Sequence, residues 1–286
     1  MRSRGRSLIG AACIALAALA GCGSEAEPAA QDTIVRQVAN GPLAVDRQDA
    51  GPTIKGEKAK RAKVAILMYH VIADAPPGAR YPGLWVPKRL FAEQMFVLRE
   101  AGYRAVTMQQ VLDAWTTGAE LPAKPIVVTF DDGNRTHVEG AGPMLEALGW
   151  PGVLNLELNN LGSTGIKVSG VRTLIDAGWE IGSHTVSHPD LTKVDDARLR
   201  EELEESKAQI AARFGIDPIV FCYPAGRHDA RVEAAVEAAG YAVALAEGAG
   251  AAAPTDDRYA LPRIRVDADQ SAQTLLAVVD AAMAKN

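Results

Sequence analysis

Cysteine is nearly absent from this chain: Cys13, Cys22 and Cys222 are the three among 286 residues. Two of them fall within the first 22 positions. The rest of the chain, with Cys222 alone, can close no disulfide on itself and must draw its stability from core burial. Aromatic residues are also few, and with five Phe the core has to be mainly aliphatic. Acidic residues outnumber basic ones, 35 to 30, which argues against the phosphate-tracking surface of a nucleic-acid binder. Nor is there a bias toward collagen, coiled coil or disorder: 48% of residues are hydrophobic and 23% charged, an ordinary globular balance.

The N-terminus is of a different kind. "MRSRGRSLIGAACIALAALAGC" carries three arginines, then an apolar run too short to span a membrane, then small residues. This is the pattern of a secretory signal. Its end, "LAGC", is similar to the bacterial lipobox, which implies cleavage before Cys22, lipid on its thiol, export, and anchoring to the cell membrane or outer membrane. Gly23 follows rather than Asp, so no inner-membrane retention signal is evident. Loss of the three signal arginines leaves 27 basic against 35 acidic side chains, a net charge of −8. Residues 23–62 are rich in Ala, Gly, Pro, Gln and charge. They read as a tether reaching roughly 35 Å, although "DTIVRQVANGPLAV" could pack locally. The expected division is a signal over 1–21, lipidated Cys22 and tether over 22–62, and one domain over 63–286.

From Lys63 onward, apolar runs alternate with helical patterns. The expected strands are "VAILMY", "YRAVTM", "PIVVTF", "GVLNLEL", "WEIGSH", "PIVFCYP", "YAVALA" and "PRIRV". The expected helices lie near 88–101, 108–116, 138–148, 167–177, 196–213, 229–239 and 271–284. Repeated strand–helix units argue for a parallel α/β sheet, closed or distorted into a barrel, with a doubly wound open sheet as the alternative. In the helix near 196–213, Leu199, Leu203, Ile210 and Phe214 share one face. Glu201, Glu202, Glu204 and Glu205 read as its solvated side.

Three motifs sit at strand ends, where the C-terminal edge of a parallel barrel gathers distant residues. "VVTFDDG" ends a buried strand in Asp131 and Asp132; the plain reading is a turn or cap, yet buried carboxylates need partners. "EIGSHTVSHP" offers His184 and His188, which share a face if the segment turns helically and could, with an Asp, ligate zinc; the plain reading is a polar loop. "FCYPAG" bends the chain so that the Ala225 N–H could serve an oxyanion, though a simple turn is the stronger reading for this motif alone.

Taken together, "TFDDG", "SHTVSHP" and a strand followed by "YPAG" resemble the polysaccharide deacetylase family, the NodB-homology or carbohydrate esterase family 4 domain. The likeness extends over about residues 63–286 through "FAEQMFVLREAGYRAVTMQQV", "AAGYAVALAEGAG" and "ALPRIRV". It implies a distorted (β/α)7 barrel that removes acetyl groups from an N-acetylhexosamine polymer. Asp131 matches the general base, Asp132, His184 and His188 the metal ligands, and Ala225 the backbone oxyanion donor. Zinc is the default ion, with Co2+, Ni2+ or Fe2+ also suited to His/His/Asp.

Two departures matter. Many members place an Arg in the third motif to orient the base, where this chain has Cys222; Arg263 and Arg265 in "LPRIRV" are candidate replacements. Many also carry a Leu-x-His motif near the C-terminus, absent here. Of the remaining histidines, His228 reads as exposed and His137 as near the site only by proximity. His70, at the end of "VAILMYH", is the expected general acid, because "LMYH" resembles the permuted poly-N-acetylglucosamine deacetylase-like branch. Among the aromatics, Tyr69 reads as core, and Tyr81, Trp85 and Tyr223 as possible groove residues, Trp85 first; Trp85 and Tyr223 are taken as substrate-binding. The expected protein is a lipid-anchored monomer acting on an acetylated glycan such as poly-N-acetylglucosamine, peptidoglycan or a chitin-like polymer. An O-acetyl esterase on the same barrel and a non-catalytic glycan-binding lipoprotein are the alternatives.

Overall fold

Runs of β-branched and aliphatic residues bounded by Gly and Pro give this chain its sheet, and the amphipathic stretches between them give its covering helices. The computed structural model describes residues 51–162 and 165–285. The expected signal at 1–21, the lipidated Cys22 and most of the tether lie outside the described residues. The elements in order are β1 Thr53–Ile54, α1 Glu57–Lys60, β2 Ala65–Tyr69, α2 Lys88–Glu100, β3 Arg104–Ala105, α3 Met108–Thr117, β4 Leu121–Pro122 and β5 Pro125–Phe130. A π-helical turn at His137–Ala141 leads into α4 Gly142–Leu148, then β6 Val153–Leu156, α5 Val168–Asp176, β7 Glu180–Ser183 and α6 Asp196–Arg200. A second π-helical turn at Glu201–Glu205 leads into α7 Ser206–Phe214, followed by β8 Val220–Cys222, α8 Ala230–Ala238, β9 Val243–Leu245, β10 Ile264–Arg265 and α9 Ala272–Ala284.

The eight-stranded sheet runs β10-β2-β5-β6-β7-β8-β9, with β3 paired to β5 off this path, and its pairings are parallel. Bridges Leu245–Leu261 and Gly248–Ile264 draw the segment leaving β9 against the one entering β10, so the sheet curls toward closure. This is the expected distorted barrel, not the doubly wound alternative. Each expected strand is present, and each expected helix lies within a residue or two of its expected bounds.

One boundary differs. Residues 53–60, expected in the tether, form β1 and α1. β1 pairs antiparallel with β4, and Ala59 is fully buried in the cluster holding Val111, Leu112 and Ala114 of α3. The folded unit therefore begins before residue 63, because that segment has a sheet edge and an apolar surface to meet.

Strand parity sorts the core. Ile66, Val127, Val153, Val220, Val243 and Leu245 cluster together with α3, which closes the end of the barrel near the strand starts. Ala65, Leu67, Tyr69, Ile126, Val128, Phe130 and Leu154 point the other way, under α2 and α9. Successive side chains alternate between the barrel interior and the helical shell.

At the strand-start end, the half-buried Glu180 carboxylate accepts from the N–H groups of Met108 (2.6 Å) and Gln109 (3.2 Å) in the first turn of α3. Burial raises its carboxyl from the ordinary 4.5 to about 7, against the opposite pull of those two N–H groups. The folded state thus binds this proton more tightly than the unfolded state. The associated stability is fully present below the unfolded value and is lost as pH rises through about 7. Urea unfolding from pH 5 to 8 should show a loss of up to about 3 kcal/mol from this group. The Glu180→Gln variant should flatten that slope.

Candidate active site

The alternation that sorts the core also builds the site. Past Ile66 and Met68 the next inward position on β2 is His70; past Val127 and Thr129 on β5 it is Asp131. The same parity turns Asn155, His184, Cys222, Glu247, Arg263 and Arg265 inward from the strands that follow. A cavity of about 460 Å³ opens at this end, lined among others by His70, Tyr81, Asp131, Asp132, His184, His188, Ala225, Glu247, Arg263 and Arg265.

Asp131 is fully buried and is held on both oxygens. Arg263 Nη1 donates to its Oδ1 at 2.7 Å and Nη2 to its Oδ2 at 2.8 Å, while Asn155 Nδ2 donates to Oδ1 at 2.7 Å. Arg263 is buried as well, and spends its remaining donors on the Ala246 carbonyl and Thr129 Oγ1. Burial would raise the Asp131 carboxyl, but the Arg263 guanidinium outweighs it and holds the group far below the usual carboxylate range. Asp131 is therefore ionised in this pocket. Of the two candidate arginines, Arg263 pairs with this carboxylate. Arg265, two residues on and nearer the mouth, is exposed and pairs instead with Asp267 at 3.0 Å and Glu247 at 3.5 Å. Cys222 is buried with Sγ 3.6 Å from Asp131 Oδ2, and burial pushes its thiol up, so it stays protonated.

Asp132, His184 and His188 bring one ligand atom each to within 4.8 Å of one another. His184 Nδ1 meets the Cys222 carbonyl at 2.8 Å, which requires Nδ1 to carry the proton and leaves the Nε2 lone pair facing Asp132 Oδ1, 3.5 Å away. His188 Nε2 lies 3.7 Å from the same oxygen. Ligands about 2.1 Å from a tetrahedral ion sit roughly 3.4 Å apart, so this set fits a divalent ion without rearrangement. Burial also lowers the His184 pKa, against the pull of Asp131 and Asp132, which favours the neutral ligand form. The neighbouring trio Asp131, His184 and Cys222 is as close. It is the less suited of the two, because Arg263 already takes up both Asp131 oxygens.

The histidines do not converge through a helix. Residues 184–190 form a loop in which Thr185 (φ 71) and His188 (φ 55) are left-handed, and Asp132 (φ 75) and Ala225 (φ 52) share that conformation. They are the non-glycine positive-φ positions among the described residues, and all lie in the three motif loops. Gly133 (φ 83) completes the first loop; a Cβ there would come within 2.8 Å of Leu156 Cδ1.

His70 lines the cavity with Nε2 3.9 Å from Asp131 Oδ2. Its carbonyl accepts a hydrogen bond from Nε2 of His137, which is wholly buried and which burial lowers to about 4. His137 thus supports the site through backbone, a stronger tie than mere proximity. His228 is half-buried, paired with Glu233 at 2.7 Å and stacked on Tyr223.

Two expected substrate contacts need correction. Tyr223 is fully buried, faces the helical shell with Phe221, and donates its hydroxyl to the Tyr259 carbonyl at 2.7 Å. Inward Cys222 forces outward Tyr223 by alternation. Trp85 is half-buried, bridges by backbone to Val71, and is not among the cavity-lining residues. Tyr81, 58% exposed, lines the cavity instead. Glu202, read from the sequence as solvated, is fully buried and bonded to the loop between the two histidines; its place three residues after Leu199, on the apolar face, was the available signal.

Cutting one partner from a buried ion pair leaves an uncompensated charge. Arg263→Gln should therefore destabilise by about 3–5 kcal/mol, and Arg265→Gln by under about 1 kcal/mol, both read from urea midpoints at constant slope.

Comparison with known proteins agrees with this geometry. A family model described as polysaccharide deacetylase matches residues 118–244. YxkH of Bacillus subtilis (strain 168), a candidate polysaccharide deacetylase by its name, is 27% identical over 271 residues, 94% of this chain and 94% of that one. The poly-beta-1,6-N-acetyl-D-glucosamine N-deacetylase of Escherichia coli (strain K12) is 34% identical over 87 residues, 30% of this chain and 13% of that protein. Streptococcus pyogenes deacetylase PplD, solved in complex with acetate, shares the fold with a TM-score of 0.72 at 24% identity, over 77% of this chain and 99% of that one. Residues 118–244 thus match a polysaccharide deacetylase domain, and along nearly its whole length the chain is similar to a relative named for that family, which points to a hydrolytic enzyme.

Proposed function

We propose that this enzyme is a divalent-metal-dependent N-deacetylase of an extracytoplasmic N-acetylhexosamine polymer, exported and held at a membrane by lipid on Cys22, and acting as a monomer. The observation that carries the chemical part is the pairing of an ionised carboxylate, Asp131, with a separate ligand set, Asp132, His184 and His188, in one cavity. A pure binding module has no use for that separation. The named activity of the Escherichia coli relative favours poly-N-acetylglucosamine among the acetylated glycans.

An amide is a poor electrophile and water a poor nucleophile. A divalent ion held by Asp132, His184 and His188, zinc by default, would supply Lewis-acid polarisation of the carbonyl and a lower pKa for water. Asp131 takes the proton from the attacking water. Arg263 and Asn155 fix that carboxylate's orientation and keep it free of a proton. The Ala225 N–H donates toward the oxygen on which charge develops. His70, on the other side of Asp131, donates the proton that the leaving sugar amine requires. Tyr81, at the mouth, offers a ring to a pyranose face.

The test is acetate release from a panel of N- and O-acetylated glycans, with and without chelator. Release from N-acetylated polymers, abolished by chelator and restored by added zinc, is expected; release confined to O-acetylated sugars would make the enzyme an esterase. His70→Ala should keep the metal while turnover falls by about 10²–10⁴, and loss of metal in that variant would make His70 a ligand. Asp131→Asn should bind glycan and metal yet release no acetate.

A further inference from the structure

One of the four glutamates between residues 201 and 205 stands apart. Glu201, Glu204 and Glu205 are exposed, whereas Glu202 is completely buried. Its carboxylate accepts from the Val186 N–H at 2.7 Å, the Ser187 N–H at 3.0 Å, the Ser187 hydroxyl at 2.5 Å, and an Arg198 guanidinium N–H. Arg198 also reaches the Ser187 hydroxyl at 2.9 Å.

Val186 and Ser187 belong to the three-residue link between His184 and His188. That link is irregular: Thr185 within it and His188 at its end are left-handed. His184 has its own anchors, strand β7 and the Cys222 carbonyl. Among the described residues the His188 imidazole shows no comparable one: it is about one-third exposed, and its Nε2 stands 3.7 Å from Asp132 Oδ1. Where His188 stands relative to His184 and Asp132 is therefore set by the link, and Glu202 satisfies two of the link's N–H groups. The π-helical turn at Glu201–Glu205 carries this carboxylate on the buried face that Leu199, Leu203 and Ser206 also share. Such turns recur at functional sites.

We propose that Glu202 is a positioning residue for the ligand set: it clamps the Val186–Ser187 turn from behind so that His188 Nε2 remains opposite Asp132. This rests on reading Asp132, His184 and His188 as the metal ligands. The clamp needs an anion. Three donors from the link and one from Arg198 converge on two oxygens, and an ionised carboxylate is acceptor-only, with room for about four hydrogen bonds. A glutamine of the same shape replaces one oxygen by an NH2 that faces donors.

The experiment titrates metal-stripped full-length protein with Zn2+ against a chromophoric chelator and also records thermal unfolding of the metal-free form. Glu202→Gln should weaken zinc binding about 10- to 100-fold, and Ser187→Ala about 3- to 10-fold. Glu204→Gln, an exposed neighbour, should bind as wild type does. If wild-type protein binds no zinc, the metal reading itself fails. If wild type binds and both folded variants match its affinity, the positioning role is overturned, whatever happens to the metal-free unfolding temperature. Should Glu202→Gln fail to fold, Ser187→Ala decides alone: wild-type affinity there overturns the proposal, and weakened affinity supports it.

Discussion

A carboxylate buried at the end of a β-strand is the constraint around which the rest of this barrel is arranged. Without a counter-charge, Asp131 would take up a proton and lose its use as an acceptor. Arg263 answers both of its oxygens at once, while its own remaining donors reach Ala246 and Thr129. The guanidinium is thus oriented by β5 and by the segment after β9 as well as by its own strand. Its planar fork fits the carboxylate in a way a lysine could not. Because this pair is neutral as a unit, Asp132 and the two histidines can form a separate ligand set beside it, and one cavity holds two kinds of site.

Much of this was legible in the sequence, and the gaps have physical reasons. The strand–helix alternation marked the barrel's strands and helices, because short continuous apolar runs bounded by turn residues read as strands buried on both faces, and the longer stretches between them carry a 3.6-residue apolar period. Asp131, Asp132, His184 and His188 could be grouped because "TFDDG" and "SHTVSHP" together resemble the polysaccharide deacetylase motifs; singly, each also reads as a turn, a cap or a polar loop. Arg263 and Arg265 could not be separated, since residues two apart on a strand share a face; depth in the barrel tells them apart, and depth is a property of the closed sheet. Tyr223 could have been excluded: with Cys222 facing the site, its neighbour must face the shell. Glu202 was missed because charge was taken as a sign of solvent, although its helical phase matched Leu199 and Leu203.

The loops differ from the strands in what holds them. Asp132, Thr185, His188 and Ala225 adopt left-handed backbone that costs side-chain-bearing residues on the order of 1 kcal/mol or more each. Such conformations persist when surrounding bonds over-determine them. Here those bonds include Asn160 on the Asp132 carbonyl, Thr185 Oγ1 on the His188 N–H, and Glu202 on the turn between. Aspartate and histidine tolerate the left-handed region better than most residues, which suits the two side chains that this geometry must aim.

The sheet order carries a consequence for how the molecule comes to exist. β2, the first strand of the barrel, is flanked on one side by β10, the last. The cation for Asp131 arrives with that same late segment, more than a hundred residues further along. A chain emerging from its N-terminal end cannot complete the barrel early: until β10 is available, β2 has an open edge and Asp131 has no guanidinium to meet. Closure of the fold and charge compensation of its centre are then a single, long-range and late event.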